Sequence, residues 1–332
     1  METNTLEQQK TDEKFMRRCL QLARCGQMGA APNPMVGAVI VCDGRIIGEG
    51  YHRRCGGPHA EVNAVRSVRT PELLTRSTIY VSLEPCAHWG KTPPCADLIV
   101  EKKIPRCVVG CRDPFAKVDG LGIKKLRDAG VEVKVGVLEQ ECLALNRRFM
   151  TFHTYHRPFV TLKWAQSSDG YMDHAISTAT TQALVHEQRA IHQAIMVGSR
   201  TALADRPSLT NRWWSGTNPL RVVLDSKGVV PSDSPLFNDE AETLVWHNYD
   251  LDALLDHLWK RNVQSLLVEG GSELLSHFLR AGLWDQIRTE TSTQNLGGKV
   301  HVPEMPPCEL VSEEWVDGNR ICFYVSQKAE NS

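Results

Sequence analysis

The spacing of apolar residues in the first 150 positions predicts helices that alternate with strands. Apolar side chains recur at helical intervals over Phe15–Arg24, and a hairpin is predicted around the Asp43-Gly44 turn. The remaining elements are predicted, in chain order, as strands Val36–Val41 and Ile46–Tyr51, helix His59–Val68, strand Thr78–Leu83, helix Cys95–Lys103, strand Cys107–Gly110, helix Ile123–Ala129 and strand Val131–Val137. This alternation is typical of an α/β unit with a mostly parallel sheet.

A second α/β unit is predicted after residues 139–157, which have the pattern of a connecting helix and linker ending at Pro158. Its predicted elements are strand Phe159–Ala165, helix Gln182–Ala194, strands Ile195–Gly198, Arg221–Asp225 and Thr243–His247, helix Leu251–Arg261, strand Ser265–Glu269, helix Ser272–Ala281, and strands Gln286–Thr293 and Ile321–Val325. The expected domains are residues 12–150 and 151–328, which agrees with a length of 332 residues.

Composition and charge narrow the class of protein. The chain is 42% hydrophobic and 23% charged, as in ordinary globular proteins, and its longest apolar run is far shorter than a membrane helix requires. Residues 1–150 hold 23 basic against 17 acidic side chains, and residues 151–332 hold 15 against 22. The mild basic excess favours anions but falls short of a duplex-DNA-binding face. We expect neither a nucleic-acid nor a membrane partner, and the polar start Met1–Lys14 predicts a cytoplasmic protein.

The cysteines argue for metal chemistry or core packing rather than disulfides. There are eleven, an odd number, and nine of them precede residue 143. A long chain without an export signal does not depend on a disulfide framework. Most of these thiols are therefore expected to be buried apolar groups or metal ligands.

His59, Cys86 and Cys95 form the sharpest chemical pattern. One imidazole and two thiolates suit a catalytic zinc, which keeps a fourth position open for water. The predicted elements place His59 and Cys95 at helix starts and Cys86 after a strand, so the three can converge at one end of the sheet. Glu61 follows the histidine by two residues and could move protons of that water without binding the metal.

Two simpler interpretations compete with a catalytic zinc. Taken singly, each of these three residues is more often a core residue with its hydrogen bonds satisfied than a metal ligand. The complete pattern makes the metal site the favoured interpretation. A closed structural zinc site with His88 or another cysteine as fourth ligand is the second alternative. The acid at Glu61 argues against it, because a structural site has no use for a proton shuttle.

The first half resembles the pyrimidine deaminases of riboflavin biosynthesis. The resemblance rests on Asn33-Pro34, His59-Ala60-Glu61 and the stretch 84–95 (EPCAHWGKTPPC), with eight residues between the two cysteines. It implies a cytidine-deaminase-like α/β/α domain with a mixed sheet, catalysis by Glu61, and substrate contacts from Asn33, His52 and Lys91. In this family a reductase is fused behind the deaminase.

Two segments of the second half resemble that reductase. They are the loop 203–210 (LADRPSLT) and the turn 268–271 (VEGG), which opens a helix where backbone N–H groups can approach a phosphate. The resemblance implies a dihydrofolate-reductase-like α/β domain that uses NADPH, with Lys163 as a catalytic residue. It implies cofactor contacts from Ala165, Ala175, Thr201, Asp205, Ser226 and Gly271, and substrate contacts from Ser167, Arg189, Leu209, Arg212 and Glu269. In this interpretation, Arg189 and Arg212 bind the substrate phosphate together.

Two stretches depart from the family pattern. Ala175-Ile176-Ser177 replaces a common Trp-Ile-Thr, and Asp205-Arg206-Pro207 replaces Asp-Asp-Pro. The hypothesis is a bifunctional enzyme that deaminates a phosphorylated diaminopyrimidine and then reduces its ribosyl group to ribityl. We expect it to be a homo-oligomer. The alternatives are a zinc deaminase of another nucleobase with an accessory second domain, and a zinc-stabilised binding protein with both sites inactive.

Overall fold

A computed structural model describes residues 2–89, 93–115 and 118–326. Contacts divide the chain into two compact units, one ending at Tyr155 and the other beginning at His156. The expected division between residues 150 and 151 falls inside a helix, Arg147–Tyr155. The exact domain limits therefore stay a prediction.

The first unit is a five-stranded mixed sheet with helices on both faces. Its elements are α1 (Glu2–Arg24), β1 (Gly37–Cys42), β2 (Arg45–Tyr51), α2 (Ala60–Ser67), β3 (Thr78–Leu83), α3 (Cys95–Glu101), β4 (Arg106–Cys111), α4 (Leu121–Asp128), β5 (Glu132–Val135), α5 (Glu139–Leu145) and α6 (Arg147–Tyr155). The strand order is β2-β1-β3-β4-β5, in which β3, β4 and β5 are parallel and β1 is antiparallel to both of its neighbours. The α/β/α arrangement expected for this half is confirmed.

The second unit is built on an eight-stranded mixed sheet. Its elements are β6 (Phe159–Gln166), α7 (Ala179–Ile191), β7 (Ala194–Gly198), α8 (Ser199–Asp205), β8 (Leu220–Leu224), β9 (Thr243–Trp246), α9 (Leu251–Lys260), β10 (Ser265–Val268), α10 (Ser272–Ala281), β11 (Gln286–Thr291), β12 (Cys308–Val316) and β13 (Asn319–Ser326). The strand order is β12-β13-β11-β6-β10-β7-β8-β9, parallel from β11 to β9 and antiparallel through the β12–β13 hairpin. The α/β class expected for this half is confirmed.

The sequence pattern was wrong about the start of the first helix. Helix α1 begins at Glu2 instead of Phe15, although its first turns are polar. Asp12 explains the extension, because it is completely buried and its carboxylate accepts hydrogen bonds from Arg106 and Lys134. A buried charge that is paired across the sheet can order a helix segment that has no apolar stripe of its own.

Three other predictions also need correction. Helix α7 begins at Ala179, after a capping box in which Thr178 and Thr181 exchange hydrogen bonds, and Ala194 opens β7 instead of ending the helix. Residues 139–157 hold two helices, α5 and α6. Helix α8 and the exposed edge strand β12 were not predicted, because neither has a buried apolar stripe.

Among the described residues, every helix is too short or too polar to cross a bilayer.

Candidate active sites

Three metal-binding side chains meet in the first unit, as the sequence predicted. His59 precedes α2, Cys86 follows β3, and Cys95 is the first residue of α3. The His59 Nδ1 atom lies 3.6 Å from the Cys86 sulfur and 3.4 Å from the Cys95 sulfur, and the three ligand atoms lie within 4.8 Å of one another. One imidazole and two thiols at this spacing fit zinc. The described residues offer no fourth His, Cys, Asp or Glu to the cluster.

The loop that carries Cys86 is fixed by Glu84, the first residue of the 84–95 motif, to which the sequence pattern assigned no role. Glu84 is 4% exposed, and its carboxylate accepts four backbone N–H groups around the start of α4, from Asp113, Gly120, Gly122 and Ile123. The Cys86 carbonyl also accepts from the Ala96 backbone N–H at 3.1 Å. An acid directly after a buried strand was the available signal, since a carboxylate there requires several donors.

Glu61 lies on the first turn of α2 and is 3% exposed. Burial, together with the negative charge of Cys86, raises the pKa of Glu61 to about 6. Hydrogen bonds from Cys95 and His59 lower the pKa of the Cys86 thiol, so that a thiolate is available as a ligand. The site thus combines a metal-binding sulfur with a carboxyl group that exchanges protons near neutral pH.

Asn33 and His52 line the same region. The His52 ring packs edge-on against the His59 ring, with centroids 5.3 Å apart. His52 Nδ1 lies 3.1 Å from the Pro58 carbonyl, which only accepts, so Nδ1 carries the proton and Nε2 accepts from the Asn33 amide at 3.0 Å. Burial lowers the pKa of His52, which agrees with this neutral form. Lys91, the third expected substrate contact, lies outside the described residues.

His88 does not complete a closed metal site. It is not part of the described cluster, and its ring lies 6.0 Å from that of Phe115. The structural-zinc alternative with His88 as fourth ligand is therefore not formed in this arrangement. An open metal position next to an acid is the geometry of a catalytic site.

The second site forms at one edge of the large sheet. Strands β6, β7, β8 and β10 are parallel, so their carboxyl ends meet at the same edge, where α/β folds bind ligands. The predicted residues at or just beyond these ends are Ala165, Ser167, Thr201, Ser226, Glu269 and Gly271.

Thr201 and Gly271, both expected to contact the cofactor, are hydrogen-bonded to each other. The Gly271 backbone N–H donates to the Thr201 hydroxyl at 3.1 Å. A Cβ atom at Gly271 would lie 3.4 Å from that hydroxyl. Gly271 is the N-cap of the ten-residue helix α10, and its lack of a side chain leaves the first N–H groups of the helix open to a ligand. This start of a helix fits a cofactor phosphate.

Lys163, Arg189 and Glu269 form a charged group. Arg189 donates two hydrogen bonds to the Glu269 carboxylate, the shorter at 2.8 Å, and a third to the Thr210 carbonyl. The pair is little exposed, at 12% and 11% of the two side chains. Against the effect of burial, the charges of Arg189 and Lys163 lower the pKa of Glu269 to about 2. Burial is also the main cause that lowers the pKa of Lys163.

The other predicted residues of this half differ in exposure. Ser167 is completely buried, and its hydroxyl donates to Asp169 and accepts from the Tyr171 backbone. Leu209 is buried with a positive φ of 53°. The residues Ala175, Asp205 and Arg212 are exposed. The cofactor or substrate contacts of these five residues stay predictions.

Arg221 is a structural residue that the sequence analysis missed. It is completely buried on β8, and its guanidinium donates to the carbonyls of Ser208 and Pro235 and to Asn238. It therefore ties the loop that carries Leu209 and Arg212 to the segment after β8. An arginine in a strand of apolar residues was the signal for such a role.

Comparison with known families gives each unit a class. The family profile for the cytidine and deoxycytidylate deaminase zinc-binding region matches residues 9–111, and the profile for the RibD C-terminal domain matches residues 158–311. With the ligand cluster described above, the first unit is a zinc-binding deaminase domain, followed by a reductase domain.

Full-length relatives share both halves. The chain is 37% identical to the riboflavin biosynthesis protein RibD of Aquifex aeolicus over 305 residues, covering 83% of this chain and 85% of the relative. It is 34% identical to RibD of Escherichia coli over 329 residues, covering 86% and 89%. The solved deaminase/reductase of Thermotoga maritima superposes with a TM-score of 0.87 at 38% identity, covering 96% of this chain and 99% of that one. The chain belongs to the RibD family of riboflavin biosynthesis proteins, and it is an enzyme with a deaminase half and a reductase half.

Proposed function

We propose that the first unit hydrolytically deaminates a phosphorylated diaminopyrimidine. The arrangement of His59, Cys86 and Cys95 around one point, with a buried acid beside it, carries this proposal. Zinc held by these three residues would polarise water and lower its pKa. The name of the Thermotoga maritima relative, a diaminohydroxyphosphoribosylaminopyrimidine deaminase, supports this substrate class.

Glu61 is the proton carrier in this proposal. As a carboxylate it accepts a proton from the water that adds to the amino-bearing ring carbon, and as an acid it delivers a proton to the leaving amine, which departs as ammonia. Burial raises the pKa of Glu61, which favours a group that can both take up and release a proton. Neutral His52 orients the Asn33 amide, whose remaining groups contact the pyrimidine.

The second unit is proposed to reduce the ribosyl group of the deaminated product. NADPH, when bound, would supply a hydride to the ribosyl carbon that bears the amine, and the bond from that carbon to the ring oxygen would break, so that the freed oxygen takes up a proton. Thr201 and Gly271 would hold the cofactor at the start of α10, and Lys163 would supply the proton that completes the ribityl product. Glu269 would orient the sugar hydroxyls, and Arg189 fixes Glu269 in place.

Arg212 is the proposed phosphate ligand of this half. Arg189 has three of its donors engaged with Glu269 and Thr210, so its guanidinium is compensated by a carboxylate. Arg212 is exposed, donates to the Ser208 hydroxyl and lies 5.9 Å from the Trp213 ring. A guanidinium at this position can add a bidentate contact to a phosphate.

We also propose that the protein acts as a cytoplasmic homo-oligomer. Its cysteines are free thiols, which a reducing compartment favours. Strand β12 is the edge of the large sheet and exposes Leu310, Val311 and Trp315. An exposed edge strand of nine residues with three large apolar side chains can pair with a second copy.

The test is a two-part assay. The diaminopyrimidine substrate should release ammonia with or without NADPH, and NADPH should be oxidised only after deamination. Ammonia release without any NADPH oxidation would favour the alternative, a deaminase with a degenerate second domain. Absence of ammonia release by the zinc-loaded protein would contradict the proposal.

A further inference from the structure

Strand β11 places two charged side chains in the interior of the second unit. Arg288 is 1% exposed and Glu290 is completely buried. In the parallel pairing of β11 with β6, Arg288 lies opposite Lys163 and Glu290 lies opposite Ala165. The adjacent pair, Ile287 and Leu162, belongs to the apolar core on the other face of the sheet. Arg288, Glu290 and Lys163 therefore share the face that is turned away from that core.

Glu290 is held firmly, whereas Arg288 is not. The Glu290 carboxylate accepts from the Ser177 hydroxyl at 2.9 Å and from the Asn319 amide at 2.8 Å. The Arg288 Nη1 atom lies 3.9 Å from Glu290, and within the described parts of the chain neither of its terminal nitrogens has a hydrogen-bond partner. Its guanidinium lies 6.0 Å from the centre of the Phe323 ring.

This arrangement costs stability. A buried guanidinium with unsatisfied donors is less stable than a well-packed apolar side chain of similar volume. Packing therefore does not account for Arg288 at this position.

We propose that Arg288 and Glu290 are positioning residues that set the proton affinity of the Lys163 amine. The inference rests on the proposed function, in which Lys163 gives up a proton during reduction. Four charged groups act electrostatically on Lys163: Glu269 after β10, Arg288 and Glu290 from the paired strand β11, and Arg189 from α7.

The four charges differ in the size of their electrostatic effect on Lys163 and in how tightly each is paired. Arg189 and Glu269 are joined by two hydrogen bonds, and among the four charges Glu269 has the largest effect on the Lys163 pKa, which it raises. Arg288 and Glu290 are 3.9 Å apart and less tightly joined. Arg288 repels the ammonium form of Lys163 and Glu290 attracts it, and little solvent is present to screen either effect. Removal of one member should therefore shift the lysine in one direction, and removal of the other should shift it in the opposite direction.

The test measures the Lys163 pKa directly in the full-length protein. Competitive acetylation with acetic anhydride over a pH series, read out by peptide mass spectrometry, reports the free-amine fraction of each lysine without turnover. We expect Arg288→Gln to raise the Lys163 pKa by about 1 pH unit or more, and Glu290→Gln to lower it. Arg288→Lys keeps the charge and should stay near wild type. Arg320→Gln, which removes an arginine of β13 that pairs with Glu313, is the matched control and should have no effect.

Opposite shifts in the two glutamine variants support the proposal, and so does a matching displacement of the pH profile of NADPH oxidation. Shifts of the same sign, or none in folded variants, would overturn it. If Arg288→Gln does not fold, Glu290→Gln and Arg288→Lys still decide the matter, because an unshifted Glu290→Gln contradicts the proposal. Failure of the wild-type protein to oxidise NADPH would contradict the proposed function but leave the acetylation result intact.

Discussion

The two active sites are assembled in different ways. In the first unit, the metal ligands and the acid come from two short segments, residues 59–61 and 86–95. In the second unit, the charged side chains come from four separate places in the chain. They are Lys163 on β6, Arg189 on α7, Glu269 after β10, and Arg288 and Glu290 on β11. The first site depends on residue types at fixed spacing, whereas the second depends on the register of distant strands. Local substitutions should therefore abolish the first activity selectively and adjust the second by degrees.

The largest effect is expected for Cys86→Ser, which removes one of the zinc ligands. Zinc content and ammonia release should both be lost, the latter by at least about 10⁴-fold, because the metal supplies the activated water. Metal analysis and an ammonia assay check this outcome. Cys25→Ser, at an exposed cysteine away from the cluster, is the control and should behave as wild type. Ammonia release at the normal rate without zinc would contradict the assignment.

Glu61→Gln should separate metal binding from proton transfer. The amide keeps the size of the carboxyl group but carries no proton between water and amine, so kcat for deamination should fall by about 10²- to 10⁴-fold. Bound zinc, measured by atomic absorption, should stay at the wild-type level. Glu132→Gln, at an exposed glutamate of β5, controls for the loss of one carboxylate. Wild-type ammonia release by the Glu61 variant would show that another group moves the proton.

Asp12→Asn tests a buried charge that contributes to stability and takes part in neither proposed reaction. Asp12 accepts from Arg106 and Lys134, and these contacts lower its pKa to about 2 against the opposing effect of burial. The variant should lose about 2 kcal/mol of unfolding free energy, measured by urea denaturation, because Arg106 and Lys134, which are partly exposed, lose charge-assisted hydrogen bonds to a buried carboxylate.

The pH dependence of the same carboxylate has a definite sign. Its folded pKa lies below the unfolded value of about 4, so its contribution to stability is complete above that pH and is lost as the pH falls toward 2. The wild type should therefore lose stability between about pH 4 and pH 2 more steeply than Asp12→Asn. Equal slopes in urea melts over that interval would contradict this role.

The smallest effect is expected for Thr201→Val. The substitution removes the hydroxyl that accepts from the Gly271 backbone, a contact worth about 1 kcal/mol. We expect the KM for NADPH to rise about 5-fold with little change in kcat. Thr201→Ser retains the hydroxyl and should restore the wild-type KM. An unchanged KM in the valine variant would remove Thr201 from the cofactor site.

The features that depend on local sequence pattern could be predicted from the sequence alone. The α/β class of both halves, the convergence of His59, Cys86 and Cys95, and the burial of Glu61 on the adjoining helix follow from residue types, spacing and strand–helix alternation. The roles of Glu84 and Arg221 were not predicted, because they depend on hydrogen-bond donors and acceptors that are distant in the chain. The same reason applies to Arg288 and Glu290, whose relation to Lys163 is visible only in the pairing of β11 with β6.

The central claim, two independent sites in one chain, is tested most directly by crossing two variants with two substrates. Glu61→Gln should release no ammonia from the diaminopyrimidine, yet oxidise NADPH normally when the deaminated pyrimidine is supplied. Lys163→Met should release ammonia normally and oxidise NADPH at least about 10²-fold more slowly. Loss of both activities in either folded variant would contradict the account.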